Sequence, residues 1–288
     1  MTDLICCTIV TPSHISKAVT LLESLKIHNE QFKLVILVTE PISFHLDSIE
    51  VIELKDFVSI NESAALTKST YQFNFDALRW SLKPVLLSHL LNRQKEAFVI
   101  YCDCDMYFLS NPAKLISGLK RGGIVLTPHW RPLEPSPSIH NFRLNFQDGL
   151  FNAGCIAVNK KGLAALSWWS RSCLSGCEID RANGLFHDQR YLDLMLIYFP
   201  NTVVCRDLGY NVADWNHQTR YEWLSKKKNL HISLIHFSAN TVKKILAGKD
   251  PMLEPFYKEY TSHLNQTLNK LITSNVINYG LPNKLEKA

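Results

Sequence analysis

The segment best equipped for chemistry is Phe98-Val99-Ile100-Tyr101-Cys102-Asp103-Cys104-Asp105-Met106-Tyr107-Phe108, an apolar run that carries two aspartates at its middle. A buried unpaired carboxylate is very costly, so two of them at the end of a buried strand require something that neutralises them. Period-two geometry sends Asp103 and Asp105 to the same side of a strand. Two converging oxygen ligands suit a hard divalent cation, Mg²⁺ or Mn²⁺, which keeps further positions for diphosphate oxygens. Turn carboxylates at an exposed strand end are the plainer explanation of an isolated Asp-x-Asp. The apolar run ahead of this one favours the ion.

Three further segments carry polar groups in suggestive settings. In Gly149–Asn159, Asn152 stands among small residues just ahead of a strand, where backbone and amide can approach a polar ligand closely; a tight turn explains the same pattern. In Gly184-Leu185-Phe186-His187-Asp188-Gln189, Asp188 is placed to cap a helix. Capping does not need Gln189 beside it, and an Asp-Gln pair can hydrogen-bond several sugar hydroxyls. In Leu234-Ile235-His236-Phe237-Ser238, the His at a strand end is either a satisfied core residue or a third ligand with Asp103 and Asp105, which favours Mn²⁺. No Ser-His-Asp order, Gly-rich phosphate loop or GxSxG elbow is present. The haloacid-dehalogenase phosphatase pattern also opens with Asp-x-Asp, but it continues with Gly-Thr on a first strand, whereas this chain continues Met106-Tyr107.

The elements that must position these residues alternate. Leu4–Thr11 reads as a buried strand and 15–29 as a helix with Ala18, Leu21, Leu22 and Leu25 on one face, capped by Ser13 or Ser16. Strands are expected over 33–39, 51–54 and 97–102, with a helix over 76–92. This βαβα order predicts an α/β fold, a mostly parallel sheet with helices on both faces. Ligands in such sheets sit beyond the carboxyl ends of the strands, which places Ser13-His14 and Asp103–Asp105 at the binding edge. Further strands are expected over 123–127, 154–159, 202–207 and 233–237, and helices over 163–177 and 188–198. Pro128–Pro137, with four prolines, must be extended. From Pro251, Leu253, Phe256, Tyr257, Tyr260, Leu264, Leu268 and Leu271 repeat at spacings of three and four, a long amphipathic tail helix. Residues 1–250 are expected to form one domain and 251–288 a tail packed on it, with a membrane or partner contact as the alternative.

Composition excludes several classes. The 288 residues are 46% hydrophobic and 20% charged, with 11 Gly and 12 Pro, so disorder and collagen-like repeats are ruled out. A net charge of +5 is too mild and too spread for a nucleic-acid partner. The runs Lys226-Lys227-Lys228 and Lys243-Lys244 read as solvated surface, with phosphate-bearing substrates or an anionic membrane face as alternatives. The eight cysteines lack zinc spacing and several lie in apolar runs, where free Cys behaves as a small hydrophobe. Met1-Thr2-Asp3-Leu4 has no basic stretch ahead of an apolar core, and no run reaches the ~20 apolar residues of a bilayer span. The expected setting is a reducing cytoplasm, peripheral to the inner membrane face at most.

Taken in order, these segments resemble a GT-A-fold, nucleotide-sugar-dependent glycosyltransferase, similar to the bacterial retaining enzymes of glycosyltransferase family 8. The resemblance runs from Thr8-Ile9-Val10-Thr11-Pro12 and Leu22-Glu23-Ser24-Leu25 through Leu82-Lys83-Pro84-Val85-Leu86-Leu87, the Asp-x-Asp strand and Leu126-Thr127-Pro128-His129. It continues through Phe151-Asn152-Ala153-Gly154, Trp168-Trp169, Gly184-Leu185-Phe186-x-Asp188-Gln189, Gly209-Tyr210-Asn211-Val212-Ala213 with Trp215-Asn216, and His236-Phe237-Ser238. It implies that Asp103, Asp105 and His236 hold Mn²⁺ or Mg²⁺ on a donor diphosphate, with Cys104 between the carboxylates. It further implies that Thr11, Pro12 and Ser13 grip base and ribose, and that Lys83 faces the diphosphate or donor sugar. Asn152 and Ala153 would lie under that sugar, with Asp188 and Gln189 beside its anomeric carbon. The sequence departs from the family at Ala239, where Gly is usual, and no Pro-Trp follows Lys243-Lys244.

The implied donor is a UDP-hexose and the implied acceptor a glycan, a lipid-linked sugar or a protein. Retention follows from the resemblance alone; for inversion, Asp188, Asp148 or Asp214 could act as base. A non-catalytic nucleotide-sugar or glycan binder of the same fold is the rival reading, and a metal-dependent phosphoesterase a weaker one.

Overall fold

The computed structural model describes residues 2–42, 48–136 and 138–273; Pro137 and the tail residues 274–288 of the expectations above lie outside the described residues. In chain order the elements are β1 (Asp3–Val10), α1 (Ile15–His28), β2 (Phe32–Val38), β3 (Ile49–Glu53), α2 (Leu54–Ile60), α3 (Glu62–Thr70), α4 (Phe75–Asn92), β4 (Ala97–Cys102), β5 (Met106–Phe108), α5 (Ala113–Arg121) and β6 (Ile124–Pro128). They continue with α6 (Ile139–Gln147), β7 (Phe151–Val158), α7 (Leu163–Ser175), β8 (Ile179–Asp180), β9 (Leu185–Phe186), α8 (Leu192–Tyr198), β10 (Thr202–Val204), α9 (His217–Ser225), β11 (Leu234–His236), α10 (Ala239–Leu246) and α11 (Glu254–Thr273).

A seven-stranded sheet runs β10-β6-β7-β4-β1-β2-β3. β1 pairs in parallel with both β2 and β4, β2 with β3, and β6 with β10, while β7 lies antiparallel between β4 and β6. The mostly parallel α/β sheet expected from the strand–helix alternation is present. Its central strands read as continuous apolar runs because both faces are covered. Leu82, Leu86 and Trp169 fill one side, and Leu21, Leu22 and Leu25 the other. All eight cysteines are free thiols.

Two expectations of local structure are corrected. Neither Ser13 nor Ser16 caps α1: a 3₁₀ turn over Pro12–His14 leads into the helix, and no side-chain cap bond is made at its start. The chain does not continue as a strand through Asp103 and Asp105 either. β4 stops at Cys102, and the Met106 N–H donates to the Asp103 carbonyl at 3.1 Å, closing a tight turn. Consequently Asp103 and Asp105 are not aimed alike by the pleat.

The tail helix α11 packs on α1, with Tyr260, Thr267 and Leu271 buried. His263 reaches Glu23 of α1 at 3.0 Å, and the Tyr107 hydroxyl of β5 meets Glu259 at 3.2 Å. No helix among the described residues is long and apolar enough to cross a membrane.

Candidate active site

A cleft of ≈ 1060 Å³ opens beyond the carboxyl end of β4. Sheet pairing assembles its floor. The β4–β7 register, Cys102 opposite Cys155, sets Asp103 against Gly154, whose carbonyl accepts the Asp103 N–H at 2.8 Å. A separate antiparallel pair, β5–β11, sets Met106 opposite His236, and the Phe237 N–H donates to the Asp105 carbonyl at 2.8 Å. A strand some 130 positions away in sequence is thus fixed against the Asp-x-Asp turn.

Lys83 is the hub. It lies on α4, is only 3% exposed, and its Nζ stands 3.2 Å from Asp103 and 3.3 Å from Asp188. It also donates to the Ala153 carbonyl at 3.3 Å. Burial alone would lower the pKa of this amine, but the two carboxylates outweigh it and hold the ammonium form above its ordinary range. Asp188 forms no cap bond with the helix that follows, so the capping explanation fails. Its side chain is committed to Lys83, and its carbonyl accepts from the buried Trp169 indole at 2.8 Å.

Asn152 and Gln189 are coupled. Asn152 Nδ2 donates to Gln189 Oε1 at 3.3 Å, and Gln189 Nε2 donates to the Asp148 carbonyl at 2.9 Å. Gly154 is the cradle between these groups. A Cβ there would lie 2.6 Å from Asn152 Oδ1, 2.7 Å from Asp103 Oδ2 and 2.8 Å from His236 Cε1. Three site residues therefore face one small space that only glycine leaves open.

His236 is oriented by a relay. Thr127 donates to the Cys155 carbonyl (2.8 Å) and Asn211 Nδ2 donates to Thr127 (3.2 Å), which leaves Asn211 Oδ1 to accept from His236 Nδ1 at 3.3 Å. His236 Nε2 then faces Asp105 at 3.0 Å. Trp215 holds the imidazole edge-on at 5.1 Å. Burial pushes the Asp105 carboxyl up, but His236 and Lys17 more than offset it and keep the group at about 2.

Not every expected residue reaches the cleft. Asp103, Asn152, Ala153, Asp188, Gln189 and Lys83 line it; Asp105, His236, Cys104, Thr11, Pro12 and Ser13 do not, although His236 Cε1 faces the space above Gly154. Thr11 bonds Ser13 (2.8 Å) and His14 (2.9 Å) beyond the end of β1, and the Asp105 charge acts on His14. Cys104 packs, half-buried, on the α1 side of the sheet. Among the described residues no three His, Cys, Asp or Glu side chains already gather round one point as metal ligands do. Asp105 is engaged with His236, and Asp103 with Lys83. Asp148 has both oxygens in ion pairs, to Arg131 (3.2 Å) and Arg181 (2.8 Å), and Asp214 is held by Lys244 at 3.5 Å. Neither is a free base.

Sequence reading gave no functional role to Arg131, Arg181, Trp80 or His187, all of which line the cleft; Trp80 read only as an inward-facing residue of the 76–92 helix. His187 has a positive φ of 52° and its ring packs 3.8 Å from Trp80. Burial and the Lys83 charge lower its pKa to about 4, while burial raises that of neighbouring Asp188 to about 6. Their stability contributions run in opposite directions. Where the unfolded chain binds the extra proton, at His187, stability rises with pH; where the folded chain binds it, at Asp188, stability falls. Between about pH 4 and pH 6 the two offset. Asp188→Asn is therefore expected to lose stability more steeply than wild type as pH falls through this window, and His187→Gln less steeply. Urea midpoints across the window measure both slopes; equal slopes for all three proteins would show that these groups do not titrate as described.

The sheet order and cleft define an α/β fold of the GT-A glycosyltransferase type. Solved structures agree: mouse xyloside xylosyltransferase 1 in its apo form (TM-score 0.51, 14% identity, covering 83% of this chain and 99% of that one) and the glycosyltransferase GlyE of Streptococcus pneumoniae TIGR4 (0.53, 16%, 99% and 66%). The galactosyltransferase LgtC, crystallised with donor and acceptor sugar analogs, is similar at TM-score 0.50 and 12% identity, covering 82% and 87%. By sequence the chain is similar to two uncharacterized proteins of Bacillus subtilis strain 168: YfnD (27% identical, 82% of this chain and 77% of that one) and YfnF (25%, 92% and 94%). No protein-family model matches the chain.

Proposed function

We propose that the protein is a glycosyltransferase, similar to family 8, that moves a hexose from UDP to a glycan, lipid-linked or protein acceptor with retention of configuration. The observation that carries this reading is the convergence of Asp103, Asn152 and His236 on the space above Gly154, one contact from the Asp188–Lys83 pair. Asp103, Asp105 and His236 would hold Mn²⁺ or Mg²⁺: two carboxylates and an imidazole suit such an ion, and with Nδ1 on Asn211 it is Nε2, paired with Asp105 at 3.0 Å, that would give up this contact to take it. When bound, the ion would supply positive charge to the departing diphosphate.

The chain's own groups do the rest. Lys83 adds a fixed ammonium at the side of the cleft where negative charge grows on the leaving group. Asn152 and Ala153 support the donor sugar. Asp188 and Gln189 stand beside its anomeric carbon, whose developing positive charge the Asp188 carboxylate offsets. Holding both substrates in one cleft removes much of the entropic barrier. Thr11, Pro12 and Ser13 take the base and ribose on the far side of the Asp-x-Asp turn.

The test is a thermal-shift panel of nucleotide sugars with and without Mn²⁺. A donor at ~100 times its dissociation constant stabilises by ~2.7 kcal/mol, and a Mn²⁺-dependent shift with one UDP-sugar is expected. No shift with any nucleotide would overturn the reading. Gly154→Ala forces Asp103 and His236 apart, so its unfolding midpoint is expected to fall, by about 1–3 kcal/mol of overpacking, and its Mn²⁺-dependent shift, measured from its own ligand-free midpoint, to vanish. A full ligand shift in this variant would show that the cradle is not used.

A further inference from the structure

Beyond Gln189 the cleft continues past Asp148 to Arg181 and Phe186. The polar contacts run in sequence from Asp103 past Gly154 to Asn152, from Asn152 to Gln189, and from Gln189 to Asp148 with its two arginines. Along this succession Asn152, Gln189 and Asp148 separate Arg181 from the Asp-x-Asp turn.

Arg131 satisfies Asp148 from the buried side, with Nη1 on the Gly149 carbonyl (3.0 Å) and Nη2 on Asp148 Oδ2 (3.2 Å). That already balances the carboxylate, and Arg181 brings a second positive charge to it. Arg181 uses only Nε, which donates to Asp148 Oδ1 at 2.8 Å. Its guanidinium is also fixed over the Phe186 ring, 4.6 Å from the centroid. Nη1 and Nη2 make no hydrogen bond among the described residues, although the side chain is 42% exposed and lines the cleft. A guanidinium held by one edge and one face presents its remaining fork with little loss of freedom, the geometry that grips a carboxylate or phosphate through two parallel bonds. Beside it, Phe186, His187 and Trp80 form an aromatic ledge, with centroid spacings of 4.4 and 3.8 Å, on which the apolar face of a sugar ring can lie.

Resting on the transferase reading, we infer that this region is the acceptor site and that the acceptor is a sugar bearing an anionic group, its ring on the Phe186–His187–Trp80 ledge and its carboxylate or phosphate on the Arg181 fork. The group does not take part in transfer; it sets which acceptor is held beside Gln189.

Binding of glucose, glucuronic acid and glucose 6-phosphate to the full chain, followed by titration NMR with and without UDP, tests this. Both or either of the anionic sugars should bind about tenfold more tightly than glucose, as a charge-assisted pair of bonds provides, and the better of the two identifies the anion. Arg181→Gln should reduce that preference to about twofold or less, and Arg181→Lys, which keeps the charge but not the fork, should restore only part of it. Unchanged unfolding midpoints control for folding. Equal binding of all three sugars, an unaltered preference in Arg181→Gln, or displacement of the anionic sugar by UDP would each overturn the inference. UDP release from a nucleotide sugar with no anionic preference leaves the transferase reading standing and removes only this one; anionic preference without any nucleotide binding overturns the transferase reading and the acceptor role with it, and leaves only an anionic-sugar site at Arg181.

Discussion

Replacing Lys83 with methionine is expected to lower UDP release from the donor by about 10²–10³-fold, the usual cost of removing one preorganised group that stabilises developing charge. Methionine keeps the length and most of the volume of the stem, so packing in α4 survives. What disappears is the ammonium shared by Asp103 at 3.2 Å and Asp188 at 3.3 Å. Two carboxylates then face one another beside the Tyr101 ring, over which Nζ now sits at 5.1 Å. Breaking a buried ion pair by removing one partner costs about 3–5 kcal/mol, and Asp188, already raised to about 6 by burial, moves further toward the protonated form. Both effects can be separated. Lys83→Met with Asp188→Asn should regain much of the stability, since one of the stranded charges is gone, yet recover no turnover. Initial rates and urea midpoints on the two variants check this; a stable and active Lys83→Met would remove Lys83 from the mechanism.

The same lysine shows where sequence reading stops. Alternating apolar strands and amphipathic helices were enough for the α/β sheet, because a parallel strand buried on both faces has a recognisable composition. Asp103-Cys104-Asp105 was conspicuous because carboxylates end an apolar run. The pleat argument then failed: the chain turns at Asp103, so Asp105 belongs with His236 and Asp103 with Lys83. Nothing local foretells such a turn, since it is fixed by β11 pairing with β5 from far along the chain. Lys83 carried weight in the sequence only through the family resemblance, as any lysine in an apolar helix reads first as a snorkelling stem. Short helices such as α2, α3, α5, α6, α9 and α10 were not expected, and α6 buries none of its residues, so periodicity had little to mark. Asp148 entered the sequence reading only as a candidate base, and Arg131 and Arg181 not at all. Their meaning is relational: the pairing that neutralises Asp148 and leaves the Arg181 fork free exists only in three dimensions.

The second large effect lies outside the cleft. Asp250→Ala is expected to destabilise the protein by about 3–5 kcal/mol, because it strands Arg220, whose side chain is fully buried beside the buried Asp250. Arg220 reaches Asp250 at 2.5 and 3.4 Å, and its other donors go to Asn216 Oδ1 at 2.9 Å and the Ala213 carbonyl at 3.2 Å. Asn216 in turn donates to the Asn211 carbonyl at 3.1 Å, and Asn211 holds His236. The pair therefore pins the segment that carries both Asn211 and Trp215. Its removal should weaken the Mn²⁺-dependent ligand shift as well as the fold, although neither residue lines the cleft. A matched Arg220→Met with Asp250→Leu replacement separates the two consequences. Apolar groups of similar volume often substitute for a buried pair at little cost, but the buried Asn216 and Ala213 oxygens lose a donor, so the urea midpoint of the double variant is expected above that of Asp250→Ala and below wild type. The ligand shift should nevertheless stay reduced, because methionine cannot bond Asn216 or the Ala213 carbonyl. Recovery of stability and ligand response together would mean that the ion pair serves the fold alone and that Asn211 keeps His236 in place unaided.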